Sequence, residues 1–250
     1  MAPAPRRRTA TARTTPTAPT TATPATSTAA ANRTPASAAA DVAAAIAPPR
    51  DPATRKGSRV GRQPQSTGAG KLAREDWADA ALYMAAEAGV GAVGVEPLAR
   101  RLGVTKGSFY WHFANRGELI EVAMRRFQDV GTIGVIAHLE RLPDARARLE
   151  AVMRLAFTEE AGGRLLLAMA ASDEAAVQGA LARITATRID YLAHLLRQLG
   201  KRKDAARRGA VRAYASYVGL YYVAAVSPAH ALSEPDKSRM VDDLVESLLR

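Results

Sequence analysis

The chain has no cysteine, which removes disulfide bridges and thiolate metal sites and fits a reducing cytoplasm. Aromatic residues fill only 5% of its 250 positions. No run approaches the roughly 18 consecutive apolar residues of a membrane-spanning helix, so no membrane partner is expected. Strand alternation flanked by hairpin turns is also missing, which argues against a β architecture. The chain shows no nucleophile–base pair, no glycine-rich phosphate loop and no carboxylate pair with supporting context. It therefore reads as a non-enzyme without a cofactor. Arg6–Arg8 are followed by Thr, Pro and Ala where a secretory signal would need an apolar core.

What is present divides unevenly. Hydrophobic residues make up 48% of the chain, enough for a core, and the formal net charge is +11. Such a charge favours a polyanionic partner. Residues 1–70, however, hold ten basic and two acidic groups, so most of the excess lies there and the remainder is nearly neutral. Residues 1–70 are mostly Ala, Thr, Pro, Ser and Arg, with no aromatic residue and almost no large aliphatic one, and read as a disordered tail that cannot bury enough apolar surface to order itself. Three roles are open to it: a solvated or over-extended start, an organelle transit peptide, or a basic arm that adds phosphate contacts.

Beyond residue 70 the spacing becomes helical. Trp77, Ala81, Met84 and Ala85 trace one face of a helix that stops at Gly89. A short helix spans Val95 to Leu102, with Val95, Leu98 and Leu102 on one face. Gly103-Val104 makes a turn, and Thr105 is placed as the N-cap of a helix from Lys106 to Phe113. Asn115 caps the next, in which Leu119, Val122, Ala123 and Phe127 share a face. Amphipathic segments follow at about Asp144–Phe157, Arg164–Ala171, Glu174–Leu199, Ala205–Ala225 and Asp236–Leu249, with breakers expected at Gly162–Gly163, Gly200 and Ser227–Pro228. The expected class is all-α.

Two short helices joined by a tight turn make a helix-turn-helix, whose second helix enters the major groove. On a helical wheel Phe109 and Phe113 form one apolar stripe that can pack on Leu98, Leu102 and the first helix. The other stripes pair Lys106 with Tyr110, Gly107 with Trp111, and Ser108 with His112. Lys106 can donate to guanine O6 and N7, and Gly107 lets the backbone approach the bases. Ser108, Tyr110 and His112 suit phosphate oxygens. The alternative makes Tyr110, Trp111 and His112 half-buried packing residues, and a short aromatic helix by itself favours that alternative.

The run Val95-Glu96-Pro97-Leu98-Ala99-Arg100-Arg101-Leu102-Gly103-Val104-Thr105-Lys106-Gly107-Ser108-Phe109-Tyr110-Trp111-His112-Phe113, continued by Asn115-Arg116-Gly117-Glu118-Leu119, closely resembles the N-terminal domain of the tetracycline-repressor (TetR/AcrR) family. The likeness extends from about Leu72 to Phe127. It implies a three-helix DNA-binding domain over residues 71–128 and a helical effector-binding and dimerisation domain over residues 129–250. The implied partners are double-stranded operator DNA, an unidentified small-molecule effector and a second copy of the chain. By position, the resemblance puts Lys106 and Gly107 at base edges, and Ser108, Tyr110 and His112 at phosphates. Trp111 falls beside the sugar–phosphate wall, and Arg116 at a phosphate near the next helix's N-terminus. Two positions depart from the family pattern. Gly94 stands where Ser or Thr often caps the second helix, and Glu96 where a base-reading cation sometimes sits. Recognition then leans on Lys106, or Glu96 accepts from a cytosine amine.

Residues 130–250 resemble the family's variable domain more loosely, through helix layout and Arg188-Ile189-Asp190-Tyr191-Leu192. The resemblance implies pairing through the last two long helices, with Ala210, Ala213, Ser216, Tyr217 and Leu220 as a small-residue-rich dimer stripe. A pocket would draw on Met153, Phe157, Leu166, Met169, Tyr191, Tyr214 and Tyr221, for each of which plain core packing is the competing reading. His194, four residues after Asp190, is weak evidence for a metal, and a surface hydrogen bond is preferred. An enzyme carrying a fortuitous helix-turn-helix and a purely protein-binding helical module are the rival classes.

Overall fold

Helix α1 (Arg74–Ala88) begins where the Asp76 carboxylate accepts from the Ala73 N–H at 2.8 Å, satisfying one of the amide donors left free at a helix start. It buries Trp77, Ala78, Ala80, Ala81 and Ala85 and ends at Gly89, whose φ of 85° turns the chain away. The computed structural model describes residues 72–250, so the reading of residues 1–70 as a disordered tail lies outside the described residues.

A single 3₁₀ turn at Val90–Ala92 leads to α2 (Val95–Leu102), which ends as expected at Gly103 in the left-handed conformation (φ 67°, ψ 37°). That backbone would strain any residue with a Cβ. Helix α3 (Lys106–Tyr110) stops three residues before the expected end at Phe113. Its last turn tightens, with the His112 and Phe113 amides both bonding to the Phe109 carbonyl, and this swings Phe113 back to stack on Phe109 at 5.2 Å. Thr105 occupies the N-cap position, but its side chain makes no capping bond. Asn115 does cap α4 (Arg116–Gln128), accepting from the Glu118 N–H at 3.0 Å.

From Gln128 the backbone runs on without a break through a π-helical stretch, Asp129–Gly134, into the short α5 (Val135–Leu139). Helices α6 (Ala145–Thr158), α7 (Glu160–Ala170), α8 (Ala175–Gln198), α9 (Lys203–Val226) and α10 (Glu234–Leu249) complete the fold, and no strand occurs among the described residues. One expected breaker is wrong. Gly162–Gly163 lies inside α7, because a Cβ at position 163 would fall 2.3 Å from the Tyr221 ring; the glycine admits an aromatic side chain and does not end the helix. Helix α1 packs on α4 and α7, α8 on α9, and α10 on α6. One apolar cluster runs without a gap from Trp77 to Leu248, so α1–α4 share their core with the helices that follow.

Candidate nucleic-acid interface and interior cavity

The surface of α3 is decided from beneath. Trp77 of α1 meets Phe109 edge-on at 5.4 Å, and Leu98 and Leu102 of α2 are buried in the same cluster. With Phe109 and Phe113 committed to this core, Lys106 and Tyr110 of α3 are turned outward. Lys106, Gly107 and Tyr110 are exposed, and Ser108 and His112 are half-buried. Trp111, just past the helix, is 83% exposed and Tyr110 56%. Neither is half-buried, although Tyr110 meets the Phe109 ring edge-on at 5.2 Å; of the three residues in the packing reading, only His112 has the burial it expects. Large aromatic side chains are costly to leave in water.

Lys106 Nζ donates to Glu96 Oε1 at 2.9 Å, joining α3 to the first turn of α2 across open solvent. Each holds the other charged: the hydrogen bond lowers the Glu96 pKa and raises that of Lys106. The acid that departs from the family pattern therefore orients the cation beside it. Gly94 also acquires a reason. A Cβ there would stand 3.3 Å from the Pro97 ring, so the glycine accommodates the proline in the first turn.

Arg116 is placed otherwise than the resemblance implied. Its Nε donates to the Val93 carbonyl at 2.6 Å and Nη2 to the Val90 carbonyl at 2.9 Å, while Nη1 and Nη2 grip both carboxylate oxygens of Glu174 at 2.9 and 2.8 Å. Four donors of the guanidinium are thereby used internally, which leaves little for a phosphate. Arg116 instead fastens the start of α4 to the N-cap residue of α8, and the Arg116 hydrogen bond lowers the Glu174 pKa. A second tie, not foreseen from sequence, joins Arg74 to Glu118, with the Arg74 guanidinium 4.7 Å over the Phe113 ring.

A cavity of about 190 Å³ opens between α1, α4, the π-helical stretch, α6, α8 and α9. Of the side chains expected in a pocket, Met153, Tyr191 and Tyr214 line it. Phe157, Leu166 and Met169 are buried in the core and do not reach it. Tyr221 bends over Gly163 and donates to the Ala156 carbonyl at 3.0 Å. The expected dimer stripe proves to be an inner face. Ala210 and Leu220 are buried within the protomer, and Ala213 and Tyr217 line the cavity. Ser216, half-buried, bonds back to the Arg212 carbonyl at 3.0 Å. The apolar residues that α9 does present outward are Val211, Tyr222, Val223 and Val226.

Charge enters the cavity wall at three places. Asp79, 5% exposed, receives a two-point contact from Arg126, yet burial still raises its carboxyl pKa. Arg188 is the second and Glu159 the third. His194 shares a hydrogen bond with Gln198 at 3.0 Å, and no group of three or more candidate metal ligands occurs among the described residues. No described helix is long and apolar enough to cross a membrane.

Residues 78–124 match the family described as bacterial regulatory proteins, tetR family. No curated protein sequence matches the chain. Among solved structures, a transcriptional regulator from Rhodococcus sp. Rha1 is similar at a TM-score of 0.59 and 25% identity, covering 71% of this chain and 96% of its own. The regulator FadR from Bacillus subtilis, solved with stearoyl-CoA, shares the fold at a TM-score of 0.55 and 17% identity, over 69% and 96% of the two chains. AibR, solved with isovaleryl coenzyme A and operator DNA, does so at 0.51 and 18%, over 69% and 98%.

Proposed function

From the premise that this chain belongs to the TetR/AcrR family of transcriptional regulators, we propose that it is a homodimeric repressor that binds a pseudo-palindromic operator and is released by a small-molecule effector. The observation that carries the DNA reading is the exposure of Lys106, Tyr110 and Trp111 around α3 above a fully buried Phe109. In this reading Lys106 donates to a guanine and Gly107 brings the backbone to the base edges. Ser108, Tyr110 and His112 hold phosphates, and Trp111 lies along the sugar–phosphate wall. Glu96 takes part through Lys106.

A second copy of the chain covers the outward face of α9, where Val211, Tyr222 and Val226 stand in solvent at helical spacing. The two-fold axis then sets the half-sites about one helical turn apart, roughly 34–36 Å. The cavity is the effector site. Two proteins of the same fold were solved with acyl-coenzyme A molecules, and the cavity of this chain has mainly apolar walls with a few polar groups. Its walls include Asp79, Leu82 and Tyr83 of α1 and Arg126 and Phe127 of α4, so an occupant bears directly on the helices that carry α3. An effector that favours a different setting of α1 and α4 weakens DNA binding, and by linkage DNA weakens effector binding by the same factor. The protein acts in the cytoplasm, on nucleoid DNA.

Selection of bound duplexes from a random pool tests the reading. One two-fold motif is expected, kept in Tyr110→Ala although every sequence binds more weakly, and relaxed at one base pair in Lys106→Ala. Enrichment of no motif sinks it.

A further inference from the structure

Building on the reading of the cavity as an effector site, we propose that it selects an organic anion: a small apolar molecule with one carboxylate-like group that pairs with Arg188. Arg188 projects from α8 into the cavity wall, where it meets neutral partners. Its Nε donates to Thr132 Oγ1 at 3.1 Å and Nη2 to the Gly131 carbonyl at 2.9 Å, and the guanidinium lies 5.5 Å from the centre of the Phe127 ring. It also faces the Tyr217 hydroxyl, whose pKa burial raises while Arg188 partly lowers it. Among the described residues no carboxylate comes within ion-pair distance of Arg188.

The other charges of the wall do not supply that counter-charge. Asp79 is taken by Arg126. Glu159 lies near the Tyr217 hydroxyl, since its Cγ and that oxygen stand 3.8 and 3.9 Å from the point where a Gly162 Cβ would be, but it makes no ion pair among the described residues. A cation in an apolar wall, held only by neutral groups, is stabilised by any anion able to reach it. An apolar cation, by contrast, would have to sit beside Arg188.

Size narrows the class. A cavity of about 150 Å³ lined by apolar residues holds benzene. At about 190 Å³ this one accommodates a single ring or a short branched chain together with its headgroup. The position of Arg188 also gives the ligand a lever. Gly131 and Thr132 belong to the π-helical stretch that continues from α4, and such turns are frequent at functional sites. An anion that draws the guanidinium away from them changes the bonding of the segment leading directly into the DNA-binding helices.

The test titrates the full chain by calorimetry with phenylacetate, its near-isosteric neutral amide phenylacetamide, and 2-phenylethylamine, a cation of similar size. Phenylacetate is expected to bind at least about tenfold more tightly than the amide, and the amine most weakly. Arg188→Lys should keep the preference and Arg188→Gln should abolish it. Should Arg188→Gln fail to fold, Glu159→Gln decides: it leaves Arg188 in place and is expected to hold or increase phenylacetate affinity. Equal binding of acid and amide, a preference for the amine, binding of none in the millimolar range, or weaker phenylacetate binding in Glu159→Gln each overturn the proposal. A charge preference that depends on Arg188 but leaves operator affinity unchanged supports the anion site and removes the effector reading.

Discussion

Two groups of aromatic side chains in this molecule sit in opposite environments. Around α3, Tyr110 and Trp111 stand in solvent next to Lys106, while Phe109 directly beneath them is wholly buried. Along α8 and α9, Tyr191, Tyr214 and Tyr217 turn inward and line a cavity bounded by apolar walls and two arginines. A partner larger than the protein must be met by side chains that protrude, and a partner of one ring must be enclosed. Aromatic content alone cannot tell these apart; what lies beneath each ring does.

The comparison breaks most visibly in stability. Phe109→Ala removes the ring that Trp77 and Phe113 pack on and should destabilise the fold by about 3–5 kcal/mol. Trp111→Ala, at an exposed position, should change stability by no more than about 0.5 kcal/mol. Urea unfolding of the two variants measures the contrast, and comparable losses would mean that Trp111 packs against something.

On DNA the order reverses. Lys106→Ala should relax preference at one base pair by about 1–3 kcal/mol, and Tyr110→Ala should weaken all sequences alike. Anisotropy titrations against duplexes varied one base pair at a time separate these effects. Glu96→Gln frees Lys106 from its pair and should raise affinity for non-specific duplex more than for the operator.

The outward face of α9 gives a third contrast with its inward face. Tyr222→Glu places a charge among Val211, Val223 and Val226 and should raise the dimer dissociation constant at least about tenfold, as read by sedimentation. Ser216→Ala, within the stripe first expected to pair, should leave the dimer unchanged.

Weaker still is the Arg116–Glu174 tie. Glu174→Gln should cost about 1 kcal/mol, since the pair is partly exposed to water. Because the Glu174 pKa is lowered in the folded protein, the ionised group stabilises the fold above its unfolded value. That contribution is lost as pH falls through the folded value, below the ordinary 4.5. Wild type and Glu174→Gln should therefore converge in stability in acid and differ across neutral pH.

The helix-turn-helix was legible because its determinants are local. The spacing of Leu98, Leu102, Phe109 and Phe113, the left-handed Gly103 and the Asn115 cap each act within a few residues. What escaped depends on distant partners. Glu174 lies 58 residues from Arg116, and nothing near Arg116 announces it. Gly163 reads as a breaker until Tyr221 is seen to occupy the space above it. Helix α9 is apolar on two faces, so its periodicity finds the stripes without saying which is turned inward; only packing against α8 decides that for Ala210, Tyr217 and Leu220. The π-helical stretch at Asp129–Gly134 adds a residue to a turn and carries no pattern of its own.

The most direct test uses the chain's two tryptophans, since Trp77 is fully buried and Trp111 is 83% exposed. Acrylamide quenching of the free protein reports Trp111, and Trp111→Phe supplies the Trp77 background. With a saturating selected duplex, the Trp111 component is predicted to lose most of its accessibility to the quencher. Quenching that stays unchanged while the duplex is demonstrably bound would contradict the account, because the surface around α3 would then not be the one that meets DNA.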